Sequence, residues 1–248
     1  MAKPAGPIQP PRVRQRARPI LAEEKLGRGT AADQAAKLPS FSGDRKAQQP
    51  PASPTGMGLH TAGGARKYLT ASERDAFLRQ ADLADRPVRT LCMTLAYAGC
   101  RLSEALALTV DRVDLAAGVL TIESLKKRRS GIYRAVPVPP ALLGALDMVH
   151  GVRELQSRRG RGRGDWLWPW SRMTGWRAVR GVMQAAGLDG PHASPKGLRH
   201  GFGVAAVSAG IPLNLVQKWL GHAQLSTTAI YADAVGEEEH DIARRMWG

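Results

Sequence analysis

Leu220-Gly221-His222-Ala223-Gln224-Leu225-Ser226-Thr227-Thr228-Ala229-Ile230-Tyr231 is the stretch whose reading decides the rest of the chain. Gly221 is the residue type that tolerates the left-handed conformation beyond a helix end, so it closes the helix opened by Pro212 and leaves His222 exposed at the turn. Ser226 or Thr227 then caps a short helix carrying Tyr231. A leucine-glycine-histidine followed by Ser-Thr-Thr and a tyrosine is far more specific than any of these residues alone.

Upstream, Ser194-Pro195-Lys196 pairs a capping residue with proline at the first helical position, and the helix it starts runs to Ala209-Gly210. Lys196, Arg199 and His200 stand at i, i+3 and i+4 near its start, so all three face one side. Unpaired amides and the macrodipole make a helix N-terminus a seat for anions, and two added cations strengthen it. Arg101 lies just past Gly99, at the mouth of another short helix over Ser103–Leu108. Two guanidiniums can grip both non-bridging oxygens of one phosphodiester through forked hydrogen bonds, as a pentacoordinate phosphorane requires.

The remaining elements follow from caps and periodicity. A helix starts after Thr70 or Ser72 with Glu73 in its first turn, and order begins near Tyr68. Arg86 to Ala98 carries apolar residues at helical spacing. Val119–Ile122 and Tyr133–Val138 read as two strands joined by the basic linker Lys126-Lys127-Arg128-Arg129-Ser130-Gly131. Pro139 and Pro140 open a helix through Val149, Arg158–Gly164 reads as a surface loop, and Ser171–Ala186 is a helix ending at Gly187. Trp166, Trp168 and Trp170 alternate in strand fashion and read as core. The fold class is mainly α with a small antiparallel β-sheet (α+β).

Composition sets the context. Residues 1–65 form a basic, proline-rich arm without a core: nine of the 17 prolines fall by Pro54, and Phe41 is its only Phe, Tyr or Trp. Leu21–Leu38 is its one candidate helix. The domain proper is 66–248. A net charge of +15 attracts polyanions, nucleic acid first among them. Cys92 and Cys100, each beside apolar residues, read as small buried hydrophobes of a reducing cytoplasm. No stretch approaches the roughly 20 apolar residues of a membrane span, and the N-terminus lacks the apolar segment of a secretory signal, so the protein is expected in the cytoplasm, associated with the nucleoid.

From about Tyr68 to its end the chain resembles the catalytic domain of the tyrosine site-specific recombinases, the phage-integrase and Xer-like group. The resemblance rests on Ala98-Gly99-Cys100-Arg101-Leu102-Ser103-Glu104, on Leu198-Arg199-His200, and on Leu220-Gly221-His222 through Tyr231, in the family's order. It implies a recombinase that cuts one DNA strand at a time through a 3′-phosphotyrosine and releases a 5′-hydroxyl. Arg101 and Arg199 are then the two arginines, His222 the histidine position and Tyr231 the nucleophile. Lys196 stands where the family usually has histidine, and is assigned to phosphate binding and, if its pKa is lowered, to proton transfer; Arg199, Lys196 and His222 are the groups able to stabilise the Tyr231 phenolate or take its proton. The leaving 5′-oxygen is protonated by a hairpin lysine, Lys126 or Lys127, with Lys127 favoured. Lys126, Arg128, Arg129 and His200 are assigned to DNA contact, His200 also buttressing the site by hydrogen bonding, and Glu104 supports the arginines.

The scheme requires no metal or cofactor, because cationic side chains do the work of a magnesium ion. The implied partners are double-stranded DNA, further copies of the chain as dimers and tetramers on DNA, and an accessory protein. The tail Glu237–Trp247 resembles the family segment that packs on a neighbouring subunit. Residues 1–65 are too short and proline-rich for the helical core-binding domain usual in the family. Two alternatives stay open: a non-catalytic regulator, because Val204–Leu220 approaches a helix-turn-helix pattern, and a type IB topoisomerase-like enzyme.

Overall fold

The computed structural model describes residues 58–125, 131–158, 164–232, 243–244 and 246–247. Most of the proline-rich arm, including Leu21–Leu38, lies outside them, as does most of Arg158–Gly164. The placed chain begins earlier than Tyr68: His60 bridges Arg66, and Leu59 is buried.

Thr70 caps α1 (Ala71–Ala81) in a reciprocal box, its hydroxyl accepting from the Glu73 amide while the Glu73 carboxylate accepts from the Thr70 amide. The next helix, α2 (Arg86–Ala98), is the centre of the domain. Leu91, Cys92, Leu95 and Ala96 have no exposed surface, and α1, α3, α4, α6 and α7 all pack on it. It ends at Gly99, whose φ of 57° is the left-handed state that favours glycine. Burial pushes the Cys92 and Cys100 thiols up to about 12, consistent with inert core residues.

After α3 (Leu102–Leu106) and one 3₁₀ turn come β1 (Val113–Asp114), β2 (Val119–Glu123) and β3 (Tyr133–Pro137), antiparallel in the order β1-β2-β3. The short first strand was not foreseen; it pairs Val113 with Leu120. Alternation puts Leu120, Ile122, Arg134 and Val136 on the buried face. Then follow α4 (Pro140–His150), α5 (Val152–Ser157), α6 (Arg172–Ala185, capped by Ser171), α7 (Pro195–Ser208, capped by Ser194), α8 (Leu213–Leu220) and α9 (Ser226–Ala229). The result is the mainly helical domain with a small antiparallel sheet that the sequence led us to expect.

The tryptophan reading needs correction. Trp168 is 1% exposed and its indole donates to the Pro87 carbonyl at 2.8 Å, but Trp166 is 63% exposed. Only one bridge, Thr109 with Trp166, forms there, so no strand holds the three rings on one face. Pro169, which lacks an amide donor, stands between Trp168 and Trp170.

Gly99 links fold to site. A β-carbon there would sit 2.4 Å from the Phe202 ring as well as adopt positive φ. Gly99→Ala is therefore expected to cost about 2 kcal/mol or more, read as a lower urea midpoint at unchanged slope.

Candidate active site

Three helix ends meet at one cavity of about 430 Å³. Arg101 precedes α3, Lys196, Arg199 and His200 come from the start of α7, and His222 and Tyr231 flank α9; all six line the cavity.

Arg199 is 6% exposed and donates to the Gly99 carbonyl at 2.9 Å and the Leu220 carbonyl at 2.6 Å. Both acceptors lie at helix C-termini, where the backbone dipole is negative. Burial, followed by the nearby Arg101 charge, lowers its pKa to about 10, which leaves it cationic at neutral pH. Arg101 and Glu104 form a second unit. The Glu104 carboxylate, 1% exposed, accepts from the Arg101 amide at 2.9 Å and from its guanidinium at 2.7 Å. Burial alone would raise that carboxyl's pKa, but Arg134 and Arg101 outweigh it and hold it below its usual value.

Arg134 is a site-supporting residue that the sequence reading missed. From β3 it donates to Glu104 at 2.7 Å, to the Ser124 hydroxyl at 3.0 Å and to the Trp219 carbonyl at 2.7 Å. It thereby joins the hairpin, α3 and the end of α8. A signal existed, since an arginine two residues from Val136 on an alternating strand falls on the buried face and needs a carboxylate there. Lys126, Lys127, Arg128 and Arg129 lie outside the described residues. Ser124 and Tyr133, near the hairpin's inner ends, share a second cavity of about 260 Å³ with His222.

His222 is half-buried rather than exposed, because its Nδ1 is 2.9 Å from the Thr228 hydroxyl. Thr228 thus organises the turn, and neither Ser226 nor Thr227 caps α9. Leu225 occupies the cap position without a side-chain hydrogen bond, and Tyr231 falls in the turn beyond the helix. Tyr231 is 2% exposed, with its hydroxyl 3.1 Å from His200 Nδ1 and its ring stacked on His222 at 6.2 Å. Gly203 permits this, because a β-carbon there would meet the phenol ring at 2.6 Å. Burial raises the Tyr231 pKa, while Arg199 and Arg101 pull it back.

Burial, then neighbouring cations, lowers His200 to about 4 and His222 to about 3. At neutral pH the cavity therefore offers two uncharged imidazoles, a buried phenol and four basic side chains, those of Arg101, Arg172, Lys196 and Arg199. That arrangement suits an anionic tetrahedral group attacked by an oxygen nucleophile. Arg172 and Trp176 of α6 also line the cavity and were not foreseen.

Known proteins share this arrangement of sequence and fold. Residues 67–238 match the model of the phage integrase family. The chain is 31% identical over 174 residues to the tyrosine recombinase XerD of Pseudomonas putida, and 34% identical over 185 residues to that of Mycobacterium leprae. Each alignment covers 66% of this chain and 56% of the relative, so the chain spans little more than half the length of these relatives. Among solved structures, the XerA recombinase superimposes with a TM-score of 0.61 at 24% identity, covering 73% of this chain and 65% of that one. XerH bound to palindromic difH substrate in a post-cleavage complex gives 0.57 at 25% identity, covering 73% and 53%.

Two outcomes follow from the geometry. Arg134→Ala leaves Glu104 buried with one partner fewer, and is expected to cost about 3 kcal/mol or more in chemical denaturation. The pH dependence has a defined sign. His150, His200 and His222 all have folded pKa values below the ordinary 6.5, so the unfolded chain binds more protons. Their contribution is complete above 6.5 and is lost as pH falls below it. Glu73, at about 2 folded, contributes its own loss only below about 4.5. Melting temperature should therefore fall between pH 6.5 and 4.5, and substituting His200 and His222 by Gln should flatten that slope.

Proposed function

The chain belongs to the phage integrase family, and from that premise we propose that it is a site-specific DNA recombinase using Tyr231 as nucleophile. The observation that carries this reading is the convergence of Arg101, Lys196, Arg199, His222 and Tyr231 on one cavity from segments up to 130 residues apart. Arg101 and Arg199 hold the non-bridging oxygens of the scissile phosphate, with Lys196 adding charge at the start of α7. Tyr231 attacks phosphorus and forms a 3′-phosphotyrosine, and the 5′-hydroxyl strand departs. His222 hydrogen-bonds the phosphorane, and Lys126 or Lys127 protonates the leaving oxygen. These cations supply the charge stabilisation, and no cofactor enters the scheme.

Double-stranded DNA is the substrate in this reading, supported by the +15 charge and by the DNA complexes among the structural neighbours. Dimers and tetramers on DNA, an accessory protein and a cytoplasmic, nucleoid-associated location complete the proposal. Among the described residues no helix is long and apolar enough to cross a membrane. The regulator alternative is not favoured, because α7 directs Lys196 and Arg199 into the cavity and buries Leu198, Gly201 and Val204. A type IB topoisomerase-like activity is likewise not favoured by the relatives named above.

The test uses nicked suicide duplexes drawn from the DNA flanking the gene, incubated with chelator and resolved on a denaturing gel. Wild type is expected to form a covalent protein–DNA adduct and Tyr231→Phe none. Site-specific binding without an adduct on any duplex would favour the regulator instead.

A further inference from the structure

His200, expected from the sequence to contact DNA and buttress the site, belongs neither to the arginine grip nor to the nucleophile, yet it faces the Tyr231 hydroxyl. We propose that His200 is the proton acceptor for Tyr231: its Nδ1 takes the phenolic proton as the tyrosine oxygen attacks, and returns it when the strand is resealed. The proposal rests on the recombinase reading and deepens it.

Geometry supplies the first argument. The Tyr231 hydroxyl lies 3.1 Å from His200 Nδ1, within reach for direct proton transfer, and among the described residues it has no other hydrogen-bond partner. The other imidazole is differently engaged. His222 lies nearly parallel to the phenol ring, at 16°, and spends its Nδ1 on Thr228. Helical register supplies the second argument. His200 and Gly203 are three residues apart on one face of α7, and Tyr231 lies over Gly203 with its hydroxyl reaching back to His200. A side chain at 203 would displace the ring and break the alignment.

Electrostatics supplies the third. Lys196 and Arg199 on its own helix and Lys67 from the segment before α1 all act on His200; Tyr231 and His222 face it from around α9. Burial first and these cations next keep the imidazole neutral, with one ring nitrogen free to accept, and in the Nε2–H tautomer that nitrogen is Nδ1, the one facing the Tyr231 hydroxyl. Such a base is weak for a buried phenol while the cavity is empty. An incoming phosphodiester brings negative charge to Arg101, Arg199 and Lys196, which offsets the repulsion and raises the basicity of His200 when it is needed. The resting enzyme thus keeps Tyr231 protonated until DNA binds. In the step itself the Tyr231 Oη–P bond forms, the P–O5′ bond breaks, the phenolic proton passes to Nδ1 and the departing 5′-oxygen takes its proton from the hairpin lysine of the proposed scheme.

The test has an arm without DNA and an arm with it. Nitrogen NMR on histidine-labelled full-length protein at neutral pH should show His200 Nδ1 unprotonated, with a hydrogen-bond shift that disappears in Tyr231→Phe. A protonated Nδ1 overturns the proposal. In the suicide-duplex assay at saturating duplex, His200→Gln should form adduct about 100-fold more slowly than wild type. Its rate should rise with pH where wild type is flat. Fluorinated tyrosine at position 231, a more acidic phenol, should recover about tenfold in the Gln variant and little in wild type. Parallel pH profiles and equal responses to fluorination would make His200 a positioning residue and overturn the proposal. Wild type forming no adduct on any duplex would instead sink the recombinase reading, with the NMR arm still deciding the protonation of Nδ1.

Discussion

Arg199 holds the domain's chemistry in place by giving its donors to the protein's own backbone. Its two hydrogen bonds run to the last carbonyl of α8 and to the glycine closing α2, residues far apart in the chain. These partners are dipoles and not carboxylates, so they orient the guanidinium without neutralising it. A buried cation with only dipolar partners leaves the cavity electropositive and ready for an anion. Losing Arg199 would uncouple α2 from α8 and with them Arg101 from His222.

The surrounding charges follow the same logic. One buried carboxylate, Glu104, is shared between Arg101 and Arg134, so each arginine is fixed while the group as a whole stays cationic. Arg134 extends that network to the hairpin and the Trp219 carbonyl. Arg101 is thereby tied, through Glu104 and Arg134, to the strand pair whose basic linker carries Lys126 and Lys127. Neutral imidazoles complete the balance: a protonated His200 or His222 would add to a cluster already rich in positive charge, and burial together with Arg199 and Lys196 prevents it.

Glycine sets the distances. Gly203 lets the phenol ring lie against α7, and Gly99 lets Phe202 pack beside the end of α2. Beneath Tyr231 a small cluster of Leu59, Tyr68, Val204, Val216 and Leu220 fills the space, so the phenol is the top of a hydrophobic stack and its hydroxyl alone reaches polar company. Ring position is therefore a packing result, and hydroxyl direction a hydrogen-bond result.

Local chemistry by itself determined the two long strands, most of the helices though not α5, and the identity of six of the side chains that line the cavity. Thr70, Ser171 and Ser194 cap helices because their side chains reach amides three residues on, and Gly99 and Gly221 end helices because positive φ suits them. The same short-range information marked Arg199, Lys196 and His200 as one helical face. It misjudged whatever depended on distant partners. The exposure of His222 and the placement of Tyr231 in the turn beyond α9 hinge on Thr228; the exposed Trp166 and the burial of Leu59 hinge on what packs nearby. Arg134 works through groups 10, 30 and 85 residues away, and the His200–Tyr231 pair spans 31. Such contacts depend on how helices pack, which no local spacing encodes, so the sequence named the candidate site residues and only the tertiary structure decided which of them meet.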